Sequence, residues 1–290
     1  ATLIYLGDHA ESLTVPPPTR AAAERATNRR IAASAQLLRM RVRLYSAEPG
    51  DWSDETLRIA DSAIPLFESE GAHAELARAW RRSGLVHGSA ARYGQSTYAV
   101  SRSMVHARLA GDERLISRNA MGLSISTLLG PTPVLEAIAR CERMIADGLS
   151  DRQAQSKIIC CLAQLHAMNA DFDQARALCR RGRGLLRELG QGVSAASTGI
   201  DLLAVELLAG DLAAAEREVL PDFEFLTRAG ETYFLSTIAA MLSRVVRDQG
   251  RDDDALNYSK IAEGATAADD VESQALWRSV RAPIIARAGD

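Results

Sequence analysis

The sequence predicts an all-α chain, a right-handed superhelical solenoid of antiparallel helix pairs. Three observations predict it. Tight turns recur about every forty residues, a spacing that marks helical repeats, at Gly7-Asp8, Gly50-Asp51, Arg92-Tyr93, Pro131-Thr132, Asp171-Phe172, Gly210-Asp211, Gly250-Arg251 and Gly289-Asp290. A second series falls midway, at Gly71, Gly111, Gly148, Gly190, Gly230 and Asp269-Asp270, where the second helix of each pair should close. Between turns the apolar residues follow helical spacing, with no sustained alternation of period two.

The elements follow in order. Residues 1–18 read as the remnant of a preceding repeat and its linker, ending in "VPPPT" (15–19), with Thr19 as the cap of the next helix. Residues 19–290 read as the array itself, of about thirteen helices. Leu202, Leu203, Val205, Leu207 and Leu208 form one apolar stripe, and Ile238, Met241, Leu242, Val245 and Val246 another. Such a helix hairpin buries its apolar face only by stacking on its neighbours. Pro65, Pro221 and Pro283 fall inside proposed helices, where each removes a backbone donor and should kink or split its helix. The helix containing Pro221 is the one expected in two pieces. Residue 1 is Ala and the chain closes on "ARAGD", so a segment of a longer protein is expected.

Composition narrows the function classes. At 290 residues the chain is long for one core, and its formal charge of −3 carries no nucleic-acid footprint. The basic residues are arginines, apart from Lys157 and Lys260. No signal peptide and no apolar run of about 18 residues is seen, so neither membrane nor nucleic acid is expected as a partner. Cys141, Cys160, Cys161 and Cys179 sit in apolar helical text rather than in a disulfide framework, which points to a reducing, cytoplasmic setting.

No residue set specifies a chemistry. Cys160, Cys161, His166 and Cys179 are metal-ligand types, but adjacent helical cysteines point about 100° apart, and a buried thiol behaves as a small hydrophobe. No metal and no cofactor is expected. Arg176, Arg180, Arg183 and Arg187, with Arg181, form a basic stripe. It reads as a solvated outer face paired with Asp173 and Glu188; the other reading is a seat for an acidic partner or a phosphate chain. "GRG" (182–184) follows no strand and opens no helix, so it is not a phosphate loop. The run Asp252-Asp253-Asp254 reads as a helix start.

Some residues carry a resemblance. Trp80, Gly84 and Tyr93 fall where a tetratricopeptide repeat has its Trp, its Gly and the aromatic of its turn. Leu162, Ala163, Phe172 and Ala175 match its Leu, small residue, turn aromatic and Ala, and Ala215 and Ala255 match the second-helix Ala. The chain therefore resembles a tetratricopeptide-like array with a period longer than usual. In such arrays the first helices line a concave groove. Mapped by position, that groove would carry Arg78, Arg81, Lys157, Gln164, Arg244 and Arg247, which either bind a partner or simply face solvent.

From about residue 55 onward the text is similar to one kind of parent protein. "GPTPVLEAIARCE" (130–142), "LLAGDLAAAEREV" (207–219), "YFLSTIAAML" (233–242) and "DDVESQALWRSVRA" (269–282) resemble the C-terminal helical region of large bacterial proteins of the adenylate/guanylate cyclase type. In those proteins a class III cyclase domain and an AAA-type nucleotide-binding domain precede the repeats. The resemblance implies a non-catalytic, protein-interaction role for this chain. The partner would be a protein or peptide segment, acidic or from the parent itself. The same helical design occurs in ATPase-coupled transcriptional regulators, where it would sense an effector.

Overall fold

The computed structural model describes residues 29–43, 52–149, 151–266 and 270–288. The expected remnant, the Thr19 cap and the turns at Gly7, Gly50 and Gly289 lie outside them. The described residues form helices joined by turns, with no strand among them. The helices are α1 (Arg29–Arg43), α2 (Trp52–Ser69), α3 (His73–Ser89), α4 (Tyr93–Leu109), α5 (Glu113–Leu128), α6 (Val134–Ala146) and α7 (Arg152–Met168). They continue as α8 (Phe172–Glu188), α9 (Gly192–Ser197), α10 (Gly199–Ala209), α11 (Leu212–Arg228), α12 (Tyr233–Asp248), α13 (Asp252–Ala265) and α14 (Val271–Ala288). Two compact units hold them, one of residues 2–137 and 143–154, the other of 138–142 and 155–290. Within each unit a helix packs on the next in sequence, and often on the next but one. That pattern is the mark of a helical repeat, in which contacts stay local.

The turns carry both series seen in the sequence. A left-handed residue closes helix after helix, at Gly71, Gly111, Gly190, Gly210, Gly230 and Gly250, and also at Ala91 and Ala170. Glycine adopts that conformation without a Cβ clash, whereas the two alanines hold it under strain. An acidic side chain then caps several of the next helices. Asp112 accepts from the Leu115 amide (3.0 Å), Asp211 from Ala214 (2.9 Å) and Glu231 from Phe234 (2.9 Å). Asp252, Asp253 and Asp254 fill the first turn of α13, but its N-cap is Arg251, which makes no capping bond.

Small residues let the paired helices approach. Ala163, Ala215 and Ala255 are fully buried. Serine hydroxyls cross from one helix of a pair to a carbonyl of the other. Ser96 donates to Gly84 (2.9 Å), Ser103 to Ala77 (2.6 Å), Ser156 to Gly182 (2.8 Å) and Ser243 to Ala255 (2.7 Å). A Cβ on Gly84 would stand 2.6 Å from Val100 Cγ2, and one on Gly182 would stand 2.7 Å from Cys160 Sγ. Both glycines are therefore packing residues of close helix crossings. Trp80 packs beside Leu76 and Ala79 and meets Tyr98 edge-on at 5.7 Å.

The prolines do not break their helices. Pro65, Pro221 and Pro283 lie within continuous α2, α11 and α14. A break falls instead at Thr198-Gly199, where residues 192–209 form two helices, α9 and α10. Thr198 Oγ1 donates back to the Ala195 carbonyl at 2.6 Å, a local bond that competes with helix continuation. By length and composition 192–209 is also apolar enough to cross a bilayer, contrary to the sequence reading. Here more than half of it is buried, and Leu203, Val205 and Ala196 join the core of its unit.

Candidate functional site

The unit of residues 138–142 and 155–290 contains an open cleft of about 780 Å³ between α8, α10 and α11. Arg176, Arg180, Arg183, Gly184 and Arg187 of α8 form one wall. Glu206 of α10, and Asp211, Arg217, Glu218 and Pro221 at or on α11, form the other. Leu202 and Ala214 add apolar surface. The arginines converge because positions 176, 180, 183, 184 and 187 recur at helical spacing along one side of α8.

This corrects the reading of the stripe as an outer face paired with Asp173 and Glu188. Two of its arginines are committed inward, to other helices. Arg176 binds Glu206 in a two-pronged pair, Nε–Oε1 2.8 Å and Nη2–Oε2 2.6 Å. Glu206 is buried, and its bond to Arg176 outweighs the burial that disfavours the charge, holding the Arg176 guanidinium well above its ordinary pKa. Arg183 bonds Asp222 through Nη2 and Thr198 Oγ1 through Nε (3.0 Å). The helix break is part of this arrangement, since a Cβ on Gly199 would stand 2.8 Å from Asp222 Oδ2. Burial lifts the Asp222 carboxyl to about 6, against the pull of Arg183 and Arg187. Arg180 and Arg187 are exposed and make no hydrogen bond or salt bridge with the described residues. Arg181 is exposed on the same helix and is not part of the cleft wall.

The six residues mapped to a groove fare differently. Lys157 and Gln164 of α7 meet at one buried carboxylate, Asp201 of α10. Lys157 Nζ lies 3.0 and 3.2 Å from its two oxygens, and Gln164 Nε2 donates at 2.6 Å. Burial disfavours the Lys157 charge, but Asp201 and the nearby thiols raise it well above the ordinary value. These two side chains thus tie α7 to α10. Arg244 and Arg247 share Asp248, at 3.7 and 2.6 Å, and Arg247 also reaches the Ser279 carbonyl at 3.4 Å. Arg78 and Arg81 belong to the other unit. Arg78 is exposed on α3, and the Arg81 guanidinium lies over Gly122 of α5.

The cysteines are core residues. Cys141, Cys160, Cys161 and Cys179 are buried, and none of them is in a disulfide. Burial pushes the thiols of Cys141 and Cys179 up to about 12 and that of Cys160 well above its ordinary value. His166 turns to Asp171, with Nδ1 3.2 Å from Oδ2. Among the described residues no three His, Cys, Asp or Glu side chains gather as a metal site. The "GRG" glycines sit inside α8, Gly182 at the crossing with α7 and Gly184 on the cleft.

Fold and cleft together define a helical-repeat protein of tetratricopeptide-like architecture. The chain is similar in structure to RapI in its apo form, with a TM-score of 0.52 and 15% identity, over 85% of this chain and 94% of that one. At that identity the likeness concerns fold. No protein-family model matches the chain, and no curated protein does.

Proposed function

We propose that this chain is a non-catalytic interaction module of a multidomain bacterial signalling protein, attached to a nucleotide cyclase and an AAA-type ATPase. It binds a protein segment, and that binding regulates the attached enzyme in the cytoplasm. The carrying observation is the open, arginine-lined cleft set between successive helices of a repeat architecture. Its lining combines cations, carboxylates and apolar side chains, the mixture expected of a protein-binding surface rather than of a reaction centre. The first-helix residues Arg78 and Arg81 in one unit, and separately Arg244 and Arg247 in the other, remain further candidates. Lys157 and Gln164 are weaker candidates, since Asp201 already engages them.

A second reading is an effector-sensing domain of an ATPase-coupled transcriptional regulator, favoured by the cleft's volume, which suits a small molecule. The coding sequence on either side of this chain separates the two. A class III cyclase domain followed by an AAA-type domain upstream supports the first, and a helix-turn-helix downstream supports the second. Neither neighbour would overturn both. On either reading the purified chain turns over no ATP or GTP, and turnover that copurifies with it through successive columns refutes the non-catalytic assignment.

A further inference from the structure

The interaction-module reading leaves open where a partner docks and what chemistry it presents. We propose that the cleft between α8, α10 and α11 seats an extended acidic protein segment, whose carboxylates three residues apart are taken by Arg180 and Arg187. This deepens the interaction-module reading and rests on it.

Four observations carry the proposal. First, the α8 arginines divide into two kinds. Arg176 and Arg183 are consumed by Glu206 and Asp222, while Arg180 and Arg187 are exposed on the cleft wall and their side chains form no hydrogen bond or salt bridge with the described residues. Seven residues of helix separate those two, about 10.5 Å of rise. In a segment of polyproline II conformation, with three residues per turn and a rise of about 3.1 Å, residues i and i+3 share one face about 9 Å apart, so two carboxylates at that spacing match the two guanidiniums.

Second, Gly184 lies between them on the same wall, and a Cβ there would meet nothing within 4 Å. A glycine inside a helix costs stability, and no close contact in the fold requires this one. Its missing side chain leaves room for a backbone to approach. Third, the opposite wall is mixed: it carries Asp211 and Glu218 beside Arg217, while Glu206 is already bound by Arg176. Asp211 and Glu218 disfavour a compact polyphosphate there and can accept from peptide N–H groups. Pro221, also on that wall, gives no N–H to the Arg217 carbonyl and so leaves an acceptor without its helical donor. Fourth, the helix N-terminus nearest the cleft is already capped, since the Ala214 amide is bonded to Asp211. That end of α11 therefore has little to offer a phosphate.

The test uses the whole 290-residue chain and fluorescein-labelled decapeptides of Ser and Gly carrying two glutamates. Fluorescence anisotropy at low salt should show saturable binding of the peptide with glutamates at i and i+3. The i,i+1 peptide should bind several-fold more weakly, and a peptide without glutamate not at all. R180Q and R187Q should each weaken binding about tenfold, the loss of one charge-assisted contact. G184L, which fills the cleft and keeps every charge, should weaken it comparably. R180E/R187E should instead take the lysine counterpart of the peptide, which also shows that the doubly substituted chain is folded. Binding should fall as salt rises. Equal binding by R180Q, R187Q and G184L, or by the peptide without glutamate, overturns the proposal. So does displacement by tripolyphosphate at a lower concentration than by unlabelled peptide. If an adjoining domain of the parent binds R180Q/R187Q as well as it binds the native chain, the cleft assignment falls and the interaction-module reading stands.

Discussion

Replacing Lys157 with Met decides whether this side chain holds the fold together or waits in a groove. Its ammonium sits 3.0 and 3.2 Å from the two oxygens of Asp201, a carboxylate only 1% exposed. Methionine keeps most of the stem volume and removes the charge. Asp201 would then be buried with Gln164 as its one remaining polar contact of the pair. Orphaning one member of a buried pair costs about 3–5 kcal/mol. Lys157 is about a third exposed, so water reaches the ammonium and the expected loss falls to about 2–4 kcal/mol. Urea unfolding measures it, with Trp277 as the reporter of this unit in a background where Trp52 and Trp80 are Phe. Trp277 is buried against Ala239, Ala240 and Ala262, so its emission follows the packing of this unit. With a slope of about 2 kcal/mol per molar urea, the midpoint should drop by about 1–2 M. The double substitution Lys157→Met with Asp201→Leu should recover much of the loss, since a well-packed apolar pair often replaces a buried ion pair without cost. A Lys157→Met midpoint within about 0.2 M of the parent would show that the lysine is solvated. It would then return to the list of groove donors.

Other expectations follow from single contacts. Gly182→Ala and Gly184→Ala should have opposite signs in the same assay. The first forces a methyl to within 2.7 Å of Cys160 Sγ and should cost about 1–3 kcal/mol, while the second meets nothing and should gain up to about 1 kcal/mol from helix propensity. Ala170→Gly should stabilise by about 1 kcal/mol, because Ala170 holds a φ of +61°; a neutral or destabilised variant in thermal melts would remove the strain argument. Asp222 titrates near 6 instead of near 3.8, so between those values the folded chain holds a proton that the unfolded chain has released. Its contribution therefore makes the fold more stable as pH falls from about 6 toward 4, by at most about 3 kcal/mol. Asp222→Asn should flatten that slope in melts taken from pH 4 to 7, and an unchanged slope would mean the carboxyl titrates normally.

The turns were legible because each demands a local conformation that few residues supply. Gly210 followed by Asp211 announces a left-handed close and a cap, and both are found. The buried alanines 163, 215 and 255 were legible through the tetratricopeptide pattern. Charge partners were not, because they lie far along the chain. Arg176 meets Glu206 thirty residues on, and Lys157 meets Asp201 forty-four residues on. A helical face tells which arginines share a side, not which neighbour covers that side, so the stripe read as solvent. One signal could have found it. Asp201 and Glu206 stand inside the apolar run "GIDLLAVELLA" (199–209), and a buried acid in such a run needs a cation from a neighbouring helix. The helix break was misplaced for a similar reason. Proline in a helix is a visible warning, whereas at Thr198-Gly199 the local bond to Ala195 is joined by a bond from Arg183 of another helix, which no local pattern announces.

The cleft follows from the way these charges are distributed. The segment 192–209 is buried as core, yet it carries Asp201 and Glu206. The preceding helix pair must supply one cation for each, and does so with Lys157 from α7 and Arg176 from α8. Asp222 of α11 draws a third, Arg183. These pairs hold α8 against α10 and α11 near the cleft wall and fix its spacing. Arg180 and Arg187 lie one turn beyond each structural arginine, on the same side of α8, and neither side chain forms an ion pair with an acid among the described residues, although Arg187 acts on Asp222 at longer range. Rigid pairs thus position two uncommitted guanidiniums, which is the preorganisation that lets a site spend little on ordering its own side chains when a partner binds. This division of the arginines predicts a hierarchy of damage. Arg176→Gln and Arg183→Gln should lower stability in urea and lower peptide binding with it, since they loosen the wall. R180Q and R187Q should lower binding and leave the urea midpoint unchanged. If all four substitutions shift stability equally, the division of the α8 arginines into structural and binding pairs is wrong.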